Sequence, residues 1–260
     1  MTPHSRRIVV VTMASVAALA ATGSYTFAQQ PSLTPVQAAT RAARLRAFAK
    51  AENAQPPPLL FHEAWTWKLS PYGLDVLPPA ERHVSQAVVS NPNLELRLYG
   101  SDARDIIISG HEGRYDLWTG ITTSPVAVTL RDKDHYFDLT GLARLRWITR
   151  TEQLHIIHPV IRLADGTLLV GSHADSSPGL VSPAPGLGEG EFLESEVSFD
   201  DQRWFVLDPN RVVTRGEVKN PDLSHVDEIG FADLMPGGGF GDTGCSNVSD
   251  IELFATAHKR

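Results

Sequence analysis

Apolar and polar residues alternate along most of the chain after residue 58, which is the pattern of strands that bury one face. The alternation is clearest within Asp222–Ala255, where Val226–Leu234 and Val248–Ala255 carry β-branched or aromatic residues at alternate positions. Pro236 and the glycines that follow it separate the two segments. We therefore predict two core strands joined by a glycine-rich turn, and the residues before them must supply the strands with which they pair.

Further short strands are predicted upstream, and turn sequences such as Asn91-Pro92-Asn93 and Asp165-Gly166 separate nearly all of them. No helical period of useful length follows Leu59, and no internal repeat is found. The sequence therefore predicts an all-β fold, an antiparallel β-sandwich and most naturally a jelly roll. The upstream strands are predicted at Leu59–Trp67, Val84–Val89, Leu94–Tyr99, Asp105–Ser109, Val126–Arg131, Tyr136–Leu139, Ala143–Arg150, Leu154–Leu163, Thr167–Gly171, Phe192–Phe199 and Trp204–Leu207.

The first 58 residues have a different character. Arg6 and Arg7 precede an apolar run from Ile8 to Ala21, and small residues lead up to Ala28, so residues 1–28 are predicted to be a signal peptide that is removed on export to the periplasm or the medium. The alternatives are an uncleaved membrane anchor and, for the route, twin-arginine rather than general secretion. Residues 29–58 are predicted to form a short helical segment and a proline-rich linker, and residues 59–260 the β-domain.

Composition narrows the classes of partner. The formal net charge of the 260 residues is −7 and no basic stripe occurs, so a nucleic-acid partner is not expected. The mature chain has no apolar run long enough for a membrane span. Cys245 is the only cysteine, so an intrachain disulfide is excluded, and we interpret this residue as a small buried side chain. The sequence leaves the oligomeric state open.

Several segments resemble galactose-binding-like jelly rolls, a group that includes carbohydrate-binding modules and the complex I intermediate-associated type. The resemblance rests on the segment Asp138–Trp147, the turn Arg162–Gly166, Trp204, the segment Asp222–Phe231 and the closing strand Asp250–Phe254. The run Val-Asp-Glu-Ile-Gly-Phe-Ala-Asp-Leu-Met at 226–235, followed by glycines, is similar to exported bacterial proteins of uncharacterised function. These motifs are chiefly structural, so they imply the fold more than the function.

Two groups of residues are candidates for ligand binding. The segment Ser109–Trp118 is interpreted as a loop, and it combines aromatic residues with polar ones of the kinds that contact sugar rings and hydroxyls. A hairpin of Ala143–Arg150 with Leu154–Leu163 would place polar residues of both strands on one face. The alternative is that its arginines are solvated or paired with Glu228. The candidate ligand-binding residues are His111, Arg114, Tyr115, Trp118, Arg146, His158 and Arg162.

Metal and catalytic signals are weak. His155 and His158 would lie on opposite faces of one strand, and no His-Glu-x-x-His motif occurs, so no transition-metal site is expected. Jelly rolls of the resembled type often hold a structural calcium ion near their termini, and Glu63, Asp250 and Glu252 are candidate ligands for one. No cofactor is expected otherwise. No nucleophile elbow, phosphate loop or dinucleotide fingerprint is present.

The sequence therefore predicts an exported β-sandwich domain that binds a carbohydrate or a similar polyhydroxylated ligand. A secreted hydrolase or lyase acting on glycans is the alternative among enzymes. A non-catalytic structural or partner-binding domain is the third possibility. The segment Asp175–Gly190, rich in proline and glycine, is interpreted as a long surface loop that is either a tolerated insertion or a functional lid.

Overall fold

Short strands form wherever apolar and polar residues alternate, and they assemble into two antiparallel sheets. The computed structural model describes residues 55–152, 154–176, 192–236 and 244–260. In chain order the strands of these residues are β1 (Leu59–Glu63), β2 (Leu94–Tyr99), β3 (Ile107–His111), β4 (Arg114–Trp118), β5 (Val126–Asp132), β6 (His135–Asp138), β7 (Arg144–Thr151), β8 (Ile157–Leu163), β9 (Leu168–Gly171), β10 (Leu193–Ser198), β11 (Trp204–Leu207), β12 (Thr214–Val218), β13 (Val226–Asp233), β14 (Ser246–Phe254) and β15 (Thr256–Lys259).

The two sheets are made from strands that lie far apart in the chain. Sheet A has the order β10-β7-β14-β4-β3, and β1 pairs with β14 beside β4. Sheet B has the order β12-β11-β9-β8-β13-β5-β2, and β6 pairs with both β13 and β15. Every strand pair that the structure describes is antiparallel, so the fold is the predicted all-β sandwich of the jelly-roll class.

The core lies between the sheets and is filled by the inward residues of each alternating strand. Trp147 on β7 and Ile251 on β14 are paired in register and completely or almost completely buried. Ile229 on β13 is likewise buried and pairs with Leu130 on β5 and Ile161 on β8. Complete burial of one such side chain contributes about 1.5–3 kcal/mol, so these rows stabilise the sandwich.

The segment Asp222–Ala255 supplies an interior strand to each sheet. β13 lies between β8 and β5 in sheet B, and β14 lies between β7 and β4 in sheet A. The prediction of two core strands in this segment is confirmed. They belong to different sheets, and each is paired on both of its edges with strands from earlier in the chain.

The predicted hairpin of β7 with β8 is wrong. β7 pairs with β14 and β10 in sheet A, whereas β8 pairs with β13 and β9 in sheet B. Both strands bury an apolar face in the same core, but they do so from opposite sides. The short connection 152–156 therefore crosses from one sheet to the other, a distance of ~10 Å, instead of turning within a sheet.

The predicted loop Ser109–Trp118 is also wrong, because its residues form most of the β3–β4 hairpin. The predicted strand Val84–Val89 is replaced by a 3₁₀ turn at Gln86–Val88, where the Ser85 hydroxyl accepts a hydrogen bond from the Ala87 backbone N–H. Besides β4, two strands were not predicted, β12 and β15. Both have mostly exposed side chains, so the alternation that marks the other strands is missing from them.

Some predictions concern residues outside the described ones. These are the signal peptide 1–28, the helical segment before residue 55 and the greater part of the loop Asp175–Gly190, and the domain limits at 28 and 58 likewise stay predictions. Among the residues described, no helix is long and apolar enough to cross a membrane. Cys245 is buried, as predicted.

Candidate functional site

A tight hairpin at one side of sheet A arranges the residues of the candidate site. Glu112 and Gly113 connect β3 to β4 with φ values of 52° and 80°, and positive φ at both central residues is the geometry of the two-residue turn that suits a twisted hairpin. The register pairs His111 with Arg114 and Ser109 with Asp116. Because side chains alternate across a strand, these residues and Trp118 share the outer face of sheet A.

A small pocket opens on this face, and we call it the hairpin pocket. Its volume is about 250 Å³, just below the ~300 Å³ at which the usual range of ligand pockets begins. It has room for one small ring or for one unit of a longer ligand. Its lining residues are Arg82, Ser109, His111, Trp118, Arg150, Glu152 and Cys245.

Beneath the hairpin pocket, a buried carboxylate fixes the histidine ring. Asp116 is completely buried, and its Oδ1 accepts a hydrogen bond from Asn247 Nδ2 at 2.6 Å. Its Oδ2 lies 2.8 Å from His111 Nδ1. A carboxylate can only accept, so we place the donated proton on His111 Nδ1. The His111 ring is therefore held in one orientation at the wall of the pocket, with about a quarter of its side chain exposed.

Trp118 contributes an aromatic surface to the pocket and is only partly buried. Its ring lies directly over Gly120, since a Cβ atom at Gly120 would be 2.3 Å from the ring carbon Cζ2. Residue 120 must therefore be glycine for the ring to fold back over the backbone. A ring held in this way loses little further conformational freedom when it contacts a ligand.

Charged groups complete the lining. The guanidinium groups of Arg82 and Arg150 are largely buried, and Arg150 pairs with the carboxylate of Glu152. Burial, together with the charge of Glu152, raises the pKa of the Cys245 thiol to about 12. The thiol therefore stays protonated at neutral pH, and the pocket lacks the thiolate that a cysteine nucleophile requires.

Arg114 and Arg146, two other predicted site residues, lie on the same face of sheet A but outside the pocket lining. The Arg114 guanidinium is 3.9 Å from the Asp250 carboxylate and lies near the ring of Phe192. Arg146 Nε donates a 2.6 Å hydrogen bond to Glu252, so this arginine forms an ion pair with a residue of the neighbouring strand β14.

Tyr115 does not belong to the candidate site. Its position on β4 alternates with those of Arg114 and Asp116, so it lies on the opposite face of the hairpin. Its hydroxyl donates a 2.6 Å hydrogen bond to the backbone oxygen of Leu69. We therefore assign it a structural role, which corrects the prediction that it contacts a ligand.

His158 and Arg162 lie on sheet B, so the structure does not bring them together with Arg146. Arg162 Nη1 donates a 3.0 Å hydrogen bond to the buried carboxylate of Glu228, which also accepts one from the Tyr99 hydroxyl at 2.6 Å. This is the ion pair that the sequence offered as the alternative. Burial, together with the Glu228 carboxylate, raises the pKa of the Tyr99 hydroxyl, which therefore stays a hydrogen-bond donor.

The His158 side chain contacts the segment that follows β9 rather than any other predicted site residue. Its Nδ1 donates a 2.8 Å hydrogen bond to the backbone oxygen of His173. Burial lowers the pKa of the His158 imidazole, against the hydrogen bonds to the His173 and Gly171 backbone and the charge of Asp233, which raise it. The neutral ring is thus the favoured form in the folded chain.

The three candidate calcium ligands do not converge on a common point. Glu63 is completely buried, and its carboxylate accepts hydrogen bonds from the backbone N–H groups of Trp65, Ser90 and Asn91 at 2.7–3.0 Å. Asp250 contacts His62, and Glu252 contacts Arg146, both on the outer face of sheet A. The described residues contain no group of three or more candidate ligands that could hold a metal ion. The proposed trio is therefore not a calcium site.

Sequence reasoning missed part of the lining and the hydrogen-bonded residues beneath it. Asp116 would have been found if the segment 109–118 had been interpreted as a hairpin, since it alternates with Arg114 and Trp118. Arg150 lies at the end of a predicted strand. Its register partner Asn247 lies next to a segment for which only the apolar residues were used in the prediction. Arg82 lies in a stretch of 3₁₀ turns with no periodic signal.

Comparisons with known proteins concern the fold alone. No family model matches the chain, and no curated protein matches it. Carbohydrate-binding modules are among the solved structures that resemble it. The family 11 carbohydrate-binding module of a cellulosomal cellulase from Clostridium thermocellum is 12% identical, with a TM-score of 0.37 and coverage of 64% of this chain and 85% of the module.

Two further structures extend the range of similar proteins. The carbohydrate recognition domain of Emp47p is 12% identical, with a TM-score of 0.31 and coverage of 64% of this chain and 89% of that domain. An exo-beta-agarase is 11% identical, with a TM-score of 0.36 and coverage of 68% of this chain, which spans only 25% of the agarase. At these identities and TM-scores the likeness says nothing of what this chain binds.

Proposed function

We propose that the chain binds a saccharide, or a similar polyhydroxylated ligand, in the hairpin pocket. The observation that carries the proposal is the partly exposed ring of Trp118 beside a set of polar groups held in place by buried hydrogen bonds. An aromatic face contacts the apolar face of a sugar ring, while fixed donors and acceptors contact its hydroxyl groups. Both requirements are met within one small pocket.

Preorganisation supports binding in a pocket of this size. Asp116, itself held by Asn247, fixes the His111 ring, and Gly120 leaves room for the Trp118 ring to lie close to the backbone. A small ligand offers few contacts, so its affinity depends on how little the site must reorganise. We expect weak to moderate affinity for a single sugar and higher affinity for an oligosaccharide that also contacts the face around the pocket.

The experiment is a glycan-array screen followed by calorimetry with the glycans that bind. Trp118→Ala removes the aromatic surface and should weaken binding about tenfold or more, equivalent to roughly 1.4 kcal/mol. Asp116→Asn removes the charge that fixes His111 and should also weaken binding. Arg97→Ala is the matched control and should leave binding unchanged, since Arg97 is an exposed arginine on β2 of sheet B, outside the pocket lining.

Each variant needs a melting temperature, so that a lost site is distinguished from a lost fold. Equal affinity of the Trp118→Ala variant and the unmodified chain would place the ligand elsewhere. If the folded chain binds no glycan on the array or in the calorimeter, the proposal fails as a whole.

The hydrogen bonds that Asp116 accepts from His111 and from Asn247 favour a second candidate function. A histidine whose Nδ1 is held by a buried carboxylate is the usual form of a general base, so a hydrolase or lyase acting on a glycan is the alternative. In that case His111→Gln should lower turnover by about 100-fold or more, a larger effect than the one it has on ligand affinity. Release of new reducing or unsaturated ends from candidate polysaccharides is the measurement, and the absence of any product rejects the enzyme.

A further inference from the structure

A larger groove lies at an end of sheet B and shares no lining residue with the hairpin pocket; we call it the end groove. It is formed where β11 and β12 meet the segment that leads into β13. Its volume is about 610 Å³, well inside the ~300–1,000 Å³ range of small-molecule sites. The residues that line it and enter the argument are Asp200, Trp204, Val218, Lys219, Asn220 and Asp222.

Trp204 brings an unsatisfied hydrogen-bond donor to the end groove. Its side chain is only 2% exposed, and Nε1 is buried without a hydrogen-bond partner. The ring carbon Cζ3 faces Gly171 on β9, since a Cβ atom there would be 3.3 Å away. Nε1 is on the opposite edge of the indole ring from Cζ3, so the donor is on the side away from Gly171. On β12, the register partner of Trp204 is Val218, and both residues line the groove. An indole N–H can only donate, so its missing partner is an acceptor such as an oxygen atom.

The charges of the end groove favour a cation. Arg203 and Glu217 form a two-pronged ion pair, with both hydrogen bonds at 3.1 Å, and their charges cancel. The remaining ionised lining residues are two carboxylates, Asp200 and Asp222, and one ammonium group, Lys219. The lining therefore carries a net charge of −1.

The surroundings strengthen the negative potential at Asp200. Burial raises the pKa of its carboxyl, and the nearby carboxylates of Asp201 and Asp138 raise it further, against a backbone hydrogen bond from Gly141 that lowers it. A cationic group of a ligand would relieve both the burial and the repulsion, because it stabilises the ionised carboxylate. A neutral or anionic ligand offers no such gain.

We infer that the end groove binds a polyhydroxylated ligand that carries a protonated amine, such as a glucosamine unit. Asp200 and Asp222 contact the ammonium group, and Trp204 Nε1 donates to a ring or hydroxyl oxygen. Asn220 and Lys219 are positioned on the lining for the remaining hydroxyl groups. This site is separate from the hairpin pocket, so it stands or fails independently of the proposal made for that pocket.

The test compares two tetrasaccharides by calorimetry, one of glucosamine and one of its N-acetylated form, at a pH where the free amine is protonated. We expect the glucosamine oligomer to bind at least about tenfold more tightly, because N-acetylation removes the charge that pairs with the carboxylates. Asp200→Asn should weaken binding of the glucosamine oligomer about tenfold, and Trp204→Phe, which removes the N–H but keeps a ring, should weaken it about fivefold.

Two controls separate this site from other effects. Asp105→Asn removes one carboxylate from an exposed position outside the groove and should leave the affinity unchanged. The comparison of the two oligomers is also made in a Trp118→Ala background, in which the hairpin pocket is disabled, so the difference measured there belongs to the end groove and failure of one site is distinguishable from failure of the other. Equal affinity for the two oligomers, no binding of either, or unchanged binding by a folded Asp200→Asn variant would overturn the inference.

Discussion

The Glu228 carboxylate is completely buried on sheet B, yet it is surrounded by groups that compensate its charge. Arg162 donates to one of its oxygens, and the hydroxyls of Tyr99 and Thr129 donate to the other. Glu252, the partner of Arg146 on sheet A, is by contrast 17% exposed and reached by water. Removal of Arg162 would therefore leave a buried carboxylate without its cation, whereas removal of Arg146 would leave a carboxylate that water reaches.

Arg162→Ala should destabilise the fold, because it leaves a buried carboxylate without its cation. Breaking a fully buried pair costs roughly 3–5 kcal/mol, and since Arg162 is itself 36% exposed we expect about 1–3 kcal/mol. Arg146→Ala should change the free energy of unfolding little, as is usual for exposed ion pairs. Urea denaturation of both variants is the measurement.

A double variant checks the cause of that loss. Arg162→Ala combined with Glu228→Gln removes both charges and should recover part of the stability that the single variant loses. If the double variant is no more stable than Arg162→Ala alone, the ion pair does not account for the effect. Equal losses for Arg146→Ala and Arg162→Ala would contradict the distinction between the two pairs.

His158 should make the fold less stable in mild acid. Burial lowers the pKa of its imidazole in the folded chain below the ordinary value of 6.5. As the pH falls below about 6.5, the unfolded chain therefore takes up the proton before the folded chain does, and the free energy of unfolding decreases. The contribution is fully present above the unfolded pKa and is lost as the pH falls through the folded pKa.

His158→Gln should flatten this part of the pH dependence, since glutamine does not titrate. Urea denaturation at a series of pH values from neutral to mildly acidic, for both chains, gives the two slopes. Carboxylates elsewhere titrate alike in both chains, so their effect cancels in the difference. Identical slopes would show that the pKa of His158 is the same in the folded and unfolded chains.

Among the strands, β13 depends on a residue without a side chain. Gly230 pairs with Thr129 on β5, and a Cβ atom there would lie 1.9 Å from the backbone oxygen of Val128. The approach is between backbones, so no side-chain rotation can relieve it. The strand must shift if residue 230 is enlarged.

Gly230→Ala should therefore destabilise the fold by at least about 1–3 kcal/mol, the usual cost of overpacking. Gly141→Ala is a useful comparison, because a Cβ atom at Gly141 would meet nothing within 4 Å although its φ is +67°. We expect Gly230→Ala to lower the melting temperature more than Gly141→Ala. The reverse order would show that backbone conformation outweighs the contact between β13 and β5.

Sequence reasoning located strands that carry β-branched or aromatic residues at alternate positions, as in β13, although β13 is buried along nearly its whole length. β7 was found in the same way, and its residue Trp147 is completely buried. The β3–β4 hairpin was missed because the outer face of sheet A is polar and partly buried, as at Asp116, and its alternation is not between apolar and polar residues. For the same reason the floor of the hairpin pocket could not be assembled from the sequence.

The assignment of each strand to one sheet or the other is the second feature that the sequence left open. A connector such as 152–156 has neither the length nor the residues that decide between turning within a sheet and crossing to the other one. The prediction that Arg146, His158 and Arg162 share a face depended on that choice. That prediction is wrong for the three residues together, although Arg146 does point outward from its own strand.

For the molecule as a whole, we propose export with removal of residues 1–28. The chain expressed in a bacterium should then be recovered outside the cytoplasm with the mass of residues 29–260. Intact-mass spectrometry of each cell fraction is the measurement, and replacement of Arg6 and Arg7 by glutamine is the companion variant that should slow export. Recovery of the intact chain from the membrane fraction would instead support the uncleaved anchor.

The positions of β13 and β14 also bear on when the chain can fold. Every strand that pairs with β13 or β14 is synthesised earlier, so both sheets lack an interior member until residues 226–254 have left the ribosome. Until then β8 and β5, like β7 and β4, have no strand between them, and their closure is a long-range, slow event. Neither sheet can therefore be completed before nearly the whole chain has been synthesised.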